Sequence, residues 1–258
     1  GADVIKIERP QGGDDTRSWG PPFMCDESGR ATEESAYFLC TNRGKQSVCI
    51  DMKSPEGQAN LRQLASESDV VIENFRVGTL EGFGLGYATL ARDNPGLVFC
   101  SISAFGQTGS RAKDPGYDAM IQGEGGLMSI TGPPNEQGGG PQKVGVAVAD
   151  IMAGMYAATA ILAALQARRQ TGRGQFIDVP LYDSQVAWLA NQSMNYLVGG
   201  EAPRRLGTAH PNLVPYQAFQ TSDGFIILAV GNDAQFERFC ELAERAELAR
   251  DERFNSNS

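Results

Sequence analysis

Short apolar segments alternate with helix-start signals through the first hundred residues, and this alternation restricts the fold more than any other feature of the chain. Val4 to Ile7, Ser47 to Ile50, Asp69 to Glu73 and Leu97 to Ser103 read as strands. After the second strand, Ser54-Pro55-Glu56 opens a helix, with Ser as N-cap and Pro at the first helical position; Leu61, Leu64 and Ala65 then share one face. A second helical stretch, Leu80 to Asn94, is interrupted by glycines. Strands alternating with helices imply βαβ units around a parallel sheet. Ligands of such sheets lie beyond the carboxyl ends of strands, here the loops Glu73-Asn74-Phe75-Arg76 and Ala104 to Gly109.

The rest of the chain is less regular. Gly116 to Gly145 is glycine-rich and leads into the most apolar helix, Ile151 to Ala167. The purely apolar part, Ile151 to Leu165, falls short of the roughly 20 residues a membrane span needs, so it reads as a core helix and no membrane partner is expected. Thr171 to Gln175 is a turn, Phe176 to Val179 a strand, Tyr182 to Val198 a helix, and Phe225 to Val230 a strand. Asn232-Asp233 caps a last helix through Arg245.

Charge and residue usage remove several functions. The 258 residues carry 22 Lys plus Arg against 31 Asp plus Glu, a formal net charge of −9. That balance opposes a sequence-independent grip on nucleic acid, which needs a surplus of bases. An anionic ligand must be held by a local cluster. The loop bases are Arg9, Lys53, Arg76, Arg111 and Lys113, and Arg9 and Lys53, each just after a strand, are placed to meet at one sheet edge. Five scattered cysteines without a Cys-x-x-Cys pair suit a reducing, cytoplasmic setting. With His210 as the one histidine, a Cys/His metal site has almost no ligands to draw on, and none is expected.

Two carboxylates invite a chemical reading. Asp150 precedes the apolar helix, where spacing alone favours an N-cap and a nucleophilic carboxylate is the sharper alternative. Asp118, in Gly116-Tyr117-Asp118, reads by itself as a turn aspartate. Gly138-Gly139-Gly140 lacks the Lys-Ser or Lys-Thr of a phosphate loop, and no Gly-x-Ser-x-Gly is present.

Taken together, Gly1-Ala-Asp-Val-Ile-Lys-Ile-Glu-Arg-Pro10, Asn42-Arg-Gly-Lys-Gln-Ser47, Asp51-Met-Lys-Ser-Pro-Glu-Gly57, Asp69-Val-Val-Ile-Glu-Asn-Phe-Arg76, Ser103-Ala-Phe-Gly-Gln-Thr-Gly109 and Gly116-Tyr-Asp118 resemble the family III CoA-transferases. So do the helix after Asp150, the Thr171-Gly-Arg-Gly-Gln175 turn and Gly207 to Tyr216, which makes the resemblance run along the whole chain. The family includes formyl-CoA transferase, carnitine CoA-transferase and the α-methylacyl-CoA racemases.

The resemblance implies an α/β fold: a large domain with a parallel sheet flanked by helices, a smaller α+β domain, and an interlocked homodimer. On this chain it implies a large CoA-binding domain over 1–169, a linker helix region over 170–205 and the start of the small domain over 206–258. It implies that the first βα unit and the C-terminal remainder of a longer protein lie outside these residues. It reverses the balance for Asp150, which falls on the family's acyl-accepting aspartate, and it sets Asp118 on the second carboxylate. Contacts to coenzyme A fall on Arg9, Ile50, Lys53, Asn74 and Phe75. No permanently bound cofactor is implied; acyl-CoA and a small carboxylic acid are the substrates.

The implied reaction moves coenzyme A from an acyl-CoA donor to a carboxylic acid through aspartyl anhydride and aspartyl-CoA thioester intermediates. Tyr117 stands where the racemases carry an acid/base histidine, and a phenol with an ordinary pKa near 10 suits that task poorly. A racemase, or a CoA-binding fragment without turnover, is the alternative reading. Gly207-Thr-Ala-His-Pro211 replaces the glycine-rich loop of formyl-CoA transferases, and His210 is a candidate to approach the site, with a surface structural role as its alternative.

Overall fold

A computed structural model describes residues 1–257. The chain forms two compact units that share it discontinuously: residues 1–101 with 159–177, and residues 102–158 with 178–258.

The first unit opens with β1 (Val4–Glu8), a hairpin of β2 (Phe23–Cys25) and β3 (Ala31–Ser35), α1 (Ala36–Asn42) and β4 (Lys45–Cys49). β1 and β4 run parallel with Val4 opposite Lys45 and Glu8 opposite Cys49. α2 (Pro55–Glu67) follows, and the Ser54 Oγ accepts the Gly57 N–H at 3.0 Å, the cap expected from Ser-Pro. Next come β5 (Val70–Glu73), α3 (Thr79–Gly82), α4 (Tyr87–Asp93) and β6 (Val98–Ser103). β5 pairs parallel to β6, which lies in the centre of a three-stranded sheet completed by β7 (Phe176–Pro180). The expected parallel strands are therefore present, distributed over two sheets.

β6 is central because its sequence is apolar on both faces. Leu97, Val98, Phe99 and Cys100 are all at most 2% exposed, as a strand covered on both sides requires. Ala65 of α2, Leu80, Leu85 and Leu90 close over Leu97 and Phe99, while Tyr87 and Phe176 stack around the Phe99 ring with centroids 5.5–6.0 Å apart.

The second unit contains α5 (Asp118–Glu124), α6 (Leu127–Ile130), most of the first half of α7 (Val148–Thr171), α8 (Leu181–Ala187), α9 (Ala190–Gly199), the antiparallel pair β8 (Tyr216–Gln220) and β9 (Phe225–Ala229), and α10 (Asp233–Leu242). Its small core joins Ala104, Ile121 and Ala149 with Phe105, Leu181 and Tyr182. Gln185 is fully buried, and with its amide nitrogen turned toward α5 it donates to the Ile121 and Gly125 carbonyls at 3.2 and 3.1 Å. Gly125 is needed there, since a Cβ would overlap the Gln185 amide.

Several expectations need correction. The helix read as Tyr182 to Val198 is two helices, because the chain breaks at Trp188 and Leu189 and Ala190 takes a φ of +45°. The glycine-rich middle holds α5 and α6, whose short length hid their period. The apolar helix begins at Val148 and runs 24 residues, so it is long and apolar enough to cross a membrane by length and composition. Ala149, Met152, Ala153, Ala157, Ile161 and Ala164 nevertheless form a buried stripe at helical spacing, the pattern of a core helix.

Candidate active site

Asp150 does not cap α7. It lies within the first turn, as the third helical residue after Val148 and Ala149. Backbone N–H groups at this end have no partner within the helix, and the dipole of a long helix favours negative charge here. The capping task falls instead to Asp118, the first residue of α5. Its Oδ1 accepts the Ala149 N–H at 2.8 Å.

The other Asp118 oxygen, Oδ2, accepts the Gln122 Nε2 at 2.8 Å. Gln122 is fully buried, and its Oε1 accepts the Val144 N–H at 2.8 Å. One side chain thus ties the carboxylate of Asp118 to the segment that leads into α7. Sequence reading missed Gln122; the one signal was its position four residues after Asp118, one helical turn away.

Asp150 differs from Asp118 in having no hydrogen bond or ion pair among the described residues. Asp150 is exposed at the surface, yet the protein atoms grouped around its carboxyl disfavour the charge. That desolvation, with the like charge of Asp118 adding to it, pushes the Asp150 pKa up to about 6. An unpartnered carboxyl that ionises near neutrality is suited to nucleophilic work.

Tyr117, 80% exposed, precedes Asp118. His210 belongs to a turn: its Nδ1 accepts the N–H groups of Asn212 and Leu213 at 3.0 and 3.1 Å, and its ring packs on Tyr216 at 5.1 Å. The neutral ring then carries its proton on Nε2, and only that atom is left for chemistry.

In the first unit, parallel pairing of β1 with β4 brings Arg9 and Ile50 out at the same sheet edge, and the Ile50 N–H donates to the Glu8 carbonyl at 3.0 Å. Lys53 follows in the turn before α2, its N–H donating to Asp51 at 2.9 Å. Arg9 is ion-paired with the exposed Asp15, which a bound anion has to displace. The loop that carries Arg9 is anchored by Glu8, whose buried carboxylate takes Arg17 in two hydrogen bonds of 2.8 and 2.9 Å, Ser47 Oγ at 2.7 Å and the Asp14 N–H at 2.8 Å. Asn74 and Phe75 follow β5 in the other sheet. Glu73 sets their path by accepting the Phe75 N–H at 2.8 Å and the Ser101 hydroxyl.

A family model for CoA-transferase family III matches residues 1–258. The chain belongs to this family. It is 53% identical over its whole length to a succinate–glutarate CoA-transferase of Agrobacterium fabrum, and 44% identical to the human succinyl-CoA:glutarate CoA-transferase, covering 63% and 56% of those proteins. A crystal structure of a CaiB/BaiF family protein from Brucella suis superposes with a TM-score of 0.85 at 52% identity, over all of this chain and 66% of that one. This family III chain therefore spans about three-fifths of the length of the curated relatives it matches.

Proposed function

We propose that the protein transfers coenzyme A from a short dicarboxylyl-CoA to a free dicarboxylic acid, with Asp150 as nucleophile. The observation that carries this reading is the unpartnered carboxyl of Asp150, raised to a pKa of about 6 at the start of α7. Relatives named for succinyl-CoA and glutarate supply the substrate class.

In the first step an Asp150 oxygen attacks the thioester carbonyl of the donor. The C–S bond breaks, giving a mixed anhydride and CoA thiolate. The thiolate attacks the aspartyl carbonyl, the anhydride C–O bond breaks, and the donor acid leaves as its carboxylate. The acceptor carboxylate then attacks the aspartyl-CoA thioester, and the released thiolate attacks the acceptor carbonyl of the new anhydride, regenerating Asp150. No net proton is consumed. Coenzyme A held by its nucleotide end makes each thiolate attack effectively intramolecular, a task suited to Arg9, Ile50, Lys53, Asn74 and Phe75. The positive end of the α7 dipole suits the developing oxyanions.

The five free cysteines fit work in a reducing cytoplasm. The exposed Ile151, Met155 and Leu162 of α7 suit coverage by a second copy in a homodimer. The test is exchange by the full-length protein between succinyl-CoA and a panel of carboxylic acids, read by the mass of the CoA ester formed. Glutaryl-CoA or a close homologue is expected, and its loss in Asp150→Ala. Unchanged exchange by that variant contradicts the reading.

A further inference from the structure

We infer that Gln122 is a positioning residue for the nucleophile, and that Asp118 serves the reaction as the cap of the nucleophile's helix rather than as a second reacting carboxylate; this rests on the reading of Asp150 as the nucleophile. Three hydrogen bonds carry the inference, each 2.8 Å long: Val144 N–H to Gln122 Oε1, Gln122 Nε2–H to Asp118 Oδ2, and Ala149 N–H to Asp118 Oδ1. They form one continuous chain. It starts on the backbone before α7, passes through a side chain with no exposed surface, and ends on the residue immediately before Asp150.

The direction of donation explains both residue types. Position 122 must accept from a backbone N–H and donate to a carboxylate, which an amide does with its two ends. Position 118 must accept twice, which a carboxylate does with its two oxygens and an amide cannot. Because Gln122 is buried, either mismatch leaves a polar group unpaired without water to replace its partner. Both Asp118 oxygens are engaged by the protein, whereas the Asp150 carboxyl has no partner among the described residues. The first is thus built as a support and the second as a reagent.

The test exchanges the two groups. In Asp118→Asn the introduced amide nitrogen faces the Gln122 nitrogen, and turning the Gln122 amide only moves the donor–donor clash to Val144. In Gln122→Glu two carboxylates face each other. The double variant D118N/Q122E restores every bond: the introduced amide accepts from the Ala149 N–H with its oxygen and donates with its nitrogen to the introduced carboxylate, whose other oxygen accepts from the Val144 N–H. The measurement is kcat and KM for acyl-CoA in full-length protein, with thermal unfolding alongside.

Each single variant is expected to lower kcat by about 10²-fold, the scale of an ångström's misplacement of a reacting group, with KM for acyl-CoA unchanged. The double variant is expected to recover most of the lost kcat. Single variants with full kcat, a change confined to KM, or a folded double variant no better than the singles overturn the inference; the last outcome means that charge at position 118 itself acts on substrate. If the singles do not fold, a folded, active double variant supports the inference and an unfolded or inactive one overturns it. Trapping of an acyl adduct on Asp150 in otherwise unaltered protein is measured separately, so failure of the nucleophile reading is distinguishable from failure of this one.

Discussion

The carboxylate of Asp118 holds the backbone N–H of Ala149 at 2.8 Å, and the next residue along the chain, Asp150, has a carboxyl with no partner among the described residues. A nucleophile must be ionised, so activity should follow the titration of Asp150. With its pKa up at about 6, kcat is expected to be flat above pH 7 and to fall about tenfold per pH unit well below 6. A kcat–pH profile checks this. An acid limb near pH 4 contradicts it.

The same shift has a consequence for stability. Asp150 binds its proton more tightly in the folded state, about 6 against an ordinary 3.8, so stability falls as pH rises from about 4 through 6 and the penalty is complete above that window. Asp150→Asn removes the charge and is expected to raise the Tm at pH 8. The gain should vanish below pH 4. Thermal unfolding of both proteins across that range reads it.

Glu8 carries the opposite sign. Hydrogen bonds from Arg17 first, then Ser47 and the Asp14 N–H, hold its pKa down to about 2 against the penalty of burial. Its contribution is complete above pH 4.5 and is lost as pH falls toward 2. Glu8→Gln leaves the Arg17 guanidinium, itself part-exposed, without its anion. A loss of about 2–3 kcal/mol at neutral pH is expected, somewhat less than for a fully buried pair. Denaturant titration measures it, and the Glu8→Gln deficit should shrink in acid.

Gly174 is required by close approach. Its N–H donates to the Pro95 carbonyl at 2.9 Å, and a Cβ would overlap the Leu97 carbonyl oxygen, a backbone atom that cannot turn aside. Gly174→Ala is expected to destabilise by about 1–3 kcal/mol, as overpacking does, with no change in KM for acyl-CoA. A change in KM without loss of stability contradicts the assignment.

What was legible in the sequence was what local rules determine. The Ser54-Pro55 start of α2, the apolar run of β6 and the parallel course of β1 and β4 all follow from period, capping and strand alternation. Composition could not reveal that the parallel strands belong to two sheets, since period 2 and apolarity are the same in either. The hairpin of β2 and β3 escaped notice because β2, Phe23-Met24-Cys25, is too short to show a period and β3, Ala31 to Ser35, is mostly polar. At the candidate site, Asp150 and Asp118 stand out in the sequence, but the roles that local spacing suggests are interchanged: the expected cap lies inside the helix, and the turn aspartate is the cap. Those roles depend on tertiary contacts across 31 residues, and no local pattern contains them.

The most direct test of the central claim is a covalent one. Full-length protein incubated with succinyl-CoA, without acceptor acid, and digested at low pH should yield a peptide carrying an acyl or CoA adduct on Asp150 that hydroxylamine converts to the hydroxamate. Mass spectrometry locates it. An adduct on Asp150, absent from Asp150→Asn, is the predicted result; an adduct on another residue, or turnover with Asp150 unmodified and replaceable, contradicts the account.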